Sequence, residues 1–163
     1  MNREEALLKY HEEAAKYIKS GIEALERNFR KEEARFKDRI CQAVIQSFSS
    51  YVNKEQLEYI HISLLRSWID EDTFKIVLSL YDKDYFLDRH PLMQTIPCGD
   101  LFAPLKEVRR KLYQTLEYYR GRIEKYDADR MIRETAMAFF QKKAEWSRMV
   151  LRDLDRWGTE DNS

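Results

Sequence analysis

YIHISLLRSWIDEDTFKIVLSLYDKDYFLD, residues 59–88, is where the apolar pattern of this 163-residue chain stops being helical. Ile60, Ile62, Leu64 and, past Arg66, Trp68 fall at even positions; after Asp70-Glu71-Asp72-Thr73, the same spacing returns in Phe74, Ile76, Leu78 and Leu80. A period of two belongs to a strand, whose side chains alternate between faces. Taken alone the first run also fits a helix through Leu57, Ile60, Leu64 and Trp68, so the second run, with its β-branched and aromatic residues, decides the reading. Two such runs around a short acidic turn predict a β-hairpin over 59–81. A lone hairpin is marginal in water, so its apolar face must lie on helices or on a second copy.

Upstream, one helical stripe runs through His11, Ala14, Ile18, Ile22, Leu25, Phe29, Glu33, Phe36, Ile40 and Val44. Its spacing of about 3.67 residues per turn is that of a nearly straight helix. The pattern predicts one long helix over 1–50, with Gly21, beside Ser20, as the place for a kink. Downstream, 82–103 holds two of the three prolines and reads as an irregular loop carrying aromatic and apolar side chains. Pro104 opens a helix with the stripe Leu105, Val108, Leu112, Leu116, Tyr119, Ile123 and Tyr126, and the register fails at Asp127–Asp129. A last helix follows, so 104–157 reads as two helices, and 158–163 as a frayed polar tail. The fold expected is mainly α (α+β), a single domain over 1–163 in which long amphipathic helices form a coiled-coil-like bundle with one central β-hairpin.

Composition narrows the function classes. Lys plus Arg and Asp plus Glu number 29 each, which removes the bulk attraction for nucleic acid or an anionic membrane. The charges are nevertheless segregated: residues 54–103 hold 5 basic and 9 acidic side chains, residues 104–126 hold 7 and 3. That pattern predicts pairing between the acidic hairpin region and the basic helix after it, within the fold or across a dimer. Cys41 and Cys98 have neither zinc-ligand spacing nor the density of a disulfide scaffold. With no long apolar run and a charged N-terminus, the chain reads as cytoplasmic, with no membrane partner. The glycines stand apart from one another, so neither a P-loop nor a dinucleotide fingerprint can be written, and no cofactor or small-molecule substrate is implied.

Two constellations invite chemistry. Asp82, Asp84, Asp88 and His90 are oxygen-rich, but an EF-hand would need Gly where Leu87 stands and Glu where Met93 stands, so the carboxylates read as turn caps. Cys98, in Pro97-Cys98-Gly99 ahead of a helix, is the one nucleophile candidate, and its base would be His90 or His61. No catalytic motif accompanies either.

The functional expectation is therefore a non-enzymatic protein–protein interaction module, a regulator, inhibitor or adaptor. Its contacts would be the hairpin edge and the loop side chains Tyr85, Phe86, Met93 and Ile96. The alternative is a nucleic-acid-binding protein using the basic aromatic helix 104–126 through Lys106, Arg109, Arg110, Lys111, Tyr118, Arg120 and Arg122. Because the N-terminal stripe outruns either downstream helix, a homodimer through Ile18, Ile22, Leu25 and Phe29 is also expected.

Overall fold

The computed structural model describes residues 1–51, 57–84, 87, 91–146, 148–150 and 152. It is mostly helical, with one small antiparallel sheet. Helix α1 (Arg3–Ser50) is unbroken for 48 residues, about 72 Å at 1.5 Å per residue. It starts at a capping box, the Asn2 side chain accepting the Glu5 N–H while Glu5 accepts from the Asn2 N–H.

The helix runs through Gly21 without a break. A Cβ there would run into Val108 Cγ2, so the missing side chain is what lets the next long helix cross α1 at close range. The glycine that reads as helix-breaking in one dimension is a packing residue in three.

The hairpin is real but incomplete. Strands β1 (Leu57–Leu64) and β2 (Lys75–Asp82) pair antiparallel, with Ile60, Ile62 and Leu64 opposite Leu80, Leu78 and Ile76. The first strand does not reach Trp68: the backbone turns at Leu65 into a one-turn helix, α2 (Arg66–Asp70). A third strand, β3 (Leu92–Pro97), pairs with the other side of β2 and occupies part of the stretch expected to be irregular. Two features disguise it. Pro91 and Pro97 bracket it, positions a strand tolerates at its ends. Its middle inward residue is Gln94, which breaks the apolar alternation and is satisfied by accepting from Ser47 Oγ and donating to Gln46 Oε1 at 3.4 Å.

Helix α3 (Pro104–Leu116) leads through a 3-10 turn (Glu117–Tyr119) and Gly121, at φ 76°, into α4 (Lys125–Lys142). The break expected at Asp127–Asp129 thus comes earlier, and Asp127 completes a capping box with Glu124. Helical backbone resumes at 144–146 and 148–150.

The chain from β3 to the 3-10 turn runs back along α1, antiparallel to it. Gln94 meets Ser47, Pro97 and Asp100 meet Arg39, Leu101 meets Asn28, Val108 meets Gly21, Leu112 meets Tyr10, and Tyr119 meets Glu13. Strand, connecting turn and helix together reach from Ser47 to Tyr10 of α1, which neither downstream helix does alone. Of the four side chains expected at a dimer contact, Leu25 is 0% and Phe29 4% exposed within the single chain, Ile18 is half-buried against the same core, and Ile22 is half-buried.

An aromatic ladder ties the layers. Phe74 stacks on Phe102 (4.8 Å between centroids), Phe102 meets Phe139 edge-on, Phe139 meets Phe29, and Trp146 lies edge-on to Phe29 at 5.1 Å and stacked on Phe36 at 5.6 Å. Glu33, the one carboxylate in the α1 stripe, accepts the Trp146 indole N–H at 2.8 Å.

Candidate functional site

Polar groups suited to chemistry turn out to be fastenings. Cys98 is fully buried, and desolvation pushes its thiol up to about 12, away from the thiolate a nucleophile needs. Its backbone N–H bonds Phe74 O at 3.0 Å, closing the sheet onto the turn before α3. Asp82 accepts the Asp84 N–H at 2.8 Å, a turn cap of the expected kind. Asp88 and His90 lie outside the described residues, and among the described residues no group of three or more His, Cys, Asp or Glu could hold a metal ion.

Behind the sheet lies a buried charge cluster. Arg109, 6% exposed, donates to Ile69 O at 2.6 Å, pairs with Asp72 at 2.5 Å and stands 4.0 Å from Asp129. Tyr113 donates to Asp129, and burial, with that bond, raises its phenol well above the ordinary value. Arg133 grips Asp70 with two bonds of 3.1 and 3.2 Å. Asp72 holds φ at 57°, a left-handed conformation that Asp accepts more readily than most residues. Arg109 of α3 meets Asp72 and Arg133 of α4 meets Asp70, so the two helices clamp the turn between α2 and β2. The acidic hairpin region and the basic helix do pair within the fold.

This clamp reshapes the basic surface. Of the nucleic-acid candidates, Arg109 is sunk in the cluster, Arg110 is paired with Glu107 at 2.5 Å, Arg120 is paired with Glu117, and Lys111 lies over the Tyr17 ring. Lys106, Arg122 and Tyr118 are exposed, the last at 84%, but Tyr118, Arg120 and Arg122 follow the end of α3 and do not continue its face. A shallow groove of 340 Å³ between α1 and the start of α3 is lined by Ala24, Arg27, Asn28, Lys31, Ala103 and Pro104, and Asn28 there is committed to the Asp100 and Leu101 carbonyls.

Register places Ile60, Ile62, Ile76, Leu78, Leu80, Gln94 and Ile96 on the face against α1, and Tyr59, His61, Ser79, Tyr81, Met93 and Thr95 on the other. The other face of the sheet is covered along β2, where Ser79 and Tyr81 are 3% and 5% exposed, and opens toward its two outer strands. Of the loop candidates, Ile96 is therefore core (3% exposed) while Met93 stands out at 62%; Tyr85 and Phe86 lie outside the described residues. Tyr59 joins Met93 on the outer face at 44%, with His61 and Thr95 also exposed.

The two edges differ. β3 has Pro91 before it and Pro97 at its end, and Arg39 takes the Pro97 carbonyl at 3.2 Å. β1, LEYIHISL, holds eight residues with no Pro, Lys or Arg and a single charge, Glu58. Lysine, proline and shortness are the usual devices that blunt an edge. Among the described residues, the device of this kind on β1 is a register irregularity between Leu57 and Tyr59. Tyr59 and Ile60 are the exposed residues that the hairpin pattern alone does not single out; the missing Lys and Pro are the signal that could have done so.

Comparison of the chain with family models, curated proteins and solved structures gives no match. No helix among the described residues is long and apolar enough to cross a membrane.

Proposed function

We propose that this chain is a non-enzymatic protein–protein interaction module, a regulator, inhibitor or adaptor, that receives a protein partner on the outer face of its sheet. One observation carries the reading: a sheet sealed to α1 on one side shows Tyr59 and Met93 on the other, rigidly backed by the core. Exposed aromatic and methionine side chains on a fixed platform are what interface cores are enriched in. Burial of Cys98 and the tying-up of Arg109, Asp72 and Tyr113 support binding over catalysis. Pairing of Arg110 and Arg120 with glutamates weighs against the nucleic-acid alternative, which needs cations free to meet phosphates.

The test is affinity recovery from source lysate with and without nuclease, using wild type, Tyr59→Glu and Met93→Glu. The reading expects partners that survive nuclease and are lost with either variant, while stability changes by no more than about 0.5 kcal/mol. Recovery abolished by nuclease, and by Arg122→Glu with Lys106→Glu, would move the assignment to nucleic acid.

A further inference from the structure

We propose that the groove between α1 and the entry to α3 receives an acidic segment of a partner protein, with an aliphatic side chain on its floor and the flanking carboxylates on Arg27 and Lys31. This is a second surface, separate from the outer face of the sheet.

The floor is fixed by the fold itself. Asn28 donates to the Asp100 and Leu101 carbonyls at 2.6 and 2.9 Å, which holds the turn ahead of α3 against α1. Ala24, Ala103 and Pro104 make the lining apolar, and its 340 Å³ opens to solvent beside Arg27 and Lys31. A floor that is already in place removes part of the ordering cost of binding.

Charge on the rim is unbalanced. The carboxylates on adjoining turns are engaged: Glu26 with Lys143, Glu32 with Arg35, Asp100 with Arg39 and Glu107 with Arg110. Glu33 is directed to the Trp146 indole. That leaves Glu23, one turn before Arg27, against three exposed cations, Arg27, Arg30 and Lys31. Pro104 begins a 13-residue helix whose positive dipole end adds to the same sign. An apolar slot edged by cations is complementary to carboxylates set beside an aliphatic side chain, which is how acidic motifs are recognised.

Two other occupants fit the same groove poorly. Nucleic-acid bases would need aromatic side chains to stack on, and none lines it. A small molecule would need enclosure, and the groove is shallow.

Fluorescence anisotropy of the full chain tests this with three labelled probes. They are a peptide of alternating glutamate and leucine, its glutamate–glycine counterpart, and a single-stranded oligonucleotide of about ten nucleotides. The expected result is a dissociation constant of about 10–100 μM for the first, with the other two weaker by about tenfold or more. Raising salt from about 50 to about 500 mM should weaken the first probe further. Arg27→Glu with Lys31→Glu, both at exposed positions, should weaken it about tenfold or more with an unchanged circular dichroism spectrum. Arg3→Glu with Lys9→Glu makes the same charge change elsewhere on α1 and should leave it within about twofold. No binding of the first probe, equal binding of the glycine peptide, tighter binding of the oligonucleotide, or equal loss in the two double variants overturns the inference. Met93→Glu should leave the first probe bound; its loss there would move the acidic peptide to the sheet and overturn the groove, while leaving the outer-face reading standing.

Discussion

The two halves of α1 are packed by different means. From Ala6 to Phe29 its neighbours are helices, and small residues set the spacing: Ala6 and Ala14 are fully buried, and Gly21 admits Val108. From Phe36 to Tyr51 its neighbours are Trp146 and the sheet, and polar bonds set the register: Arg39 to Pro97 and Asp100, Ser47 to Gln94. Helix against helix can be read from a stripe, because both partners announce themselves with the same period. Helix against strand cannot, because the stripe names only one side of the contact.

The largest effect should come from the clamp that ties the turn ahead of β2 to α3 and α4. Asp72→Asn preserves a residue tolerant of positive φ but leaves Arg109, 8% exposed at its side chain, without its nearest counter-charge, at a cost of about 3 kcal/mol. Arg109→Met should cost less, since Asp72 is 33% exposed and water can solvate it. Urea titration of the two variants checks that order; equal losses would mean that Asp129 carries the charge instead.

Within the helical half, Gly21→Ala separates a kink from a close approach. Ala would gain about 1 kcal/mol by helix propensity alone, but the clash of its Cβ with Val108 predicts a net loss of about 2 kcal/mol. Val108→Ala in the same chain should recover about 1 kcal/mol of it, seen as non-additivity in a double-mutant cycle.

Where the halves meet, Trp146→Phe keeps the aromatic stacking and removes the bond to Glu33. A loss of about 1.5 kcal/mol is expected, and Glu33→Leu in the same chain should restore most of it.

The smallest effect belongs to the sheet half. The Arg39 guanidinium, bonded to Asp100, holds that carboxyl below the ordinary aspartate range. A depressed folded value means stability that is present above the unfolded pKa, about 3.9, and is lost as pH falls through the lower folded value. The urea-midpoint difference between wild type and Asp100→Asn should therefore shrink below about pH 4. Salt should reduce it too, since both groups are about a third exposed.

Much of this architecture is legible in the sequence. The α1 stripe matches the observed burial from Ala14 to Val44, and the alternation from Ile60 to Leu80 gives two strands and their shared face. Three things were not legible, each for the same reason. Gln94 hides β3 because its partners lie some forty-seven residues away in α1; Gly21 looks like a defect because Val108 is not its neighbour in sequence; Glu33 looks like a flaw in the stripe because its partner is an indole nitrogen on another element. The candidate surface was half legible. Met93 and the hairpin edge were in view, but Ile96 could be assigned to the core only once β3 was in register.

The return path along α1 also bears on how the protein is made. Its covering contacts close long loops, with separations of 102 residues for Tyr10 and Leu112, 106 for Glu13 and Tyr119, and 117 for Glu26 and Lys143. Contacts that distant slow folding, even in a mostly helical chain. During synthesis at about 5–20 residues per second, α1 leaves the ribosome seconds before β3, α3 and α4 exist to cover it. For that interval its apolar stripe faces whatever surrounds the nascent chain, and the first third of the protein depends on the rest for its cover.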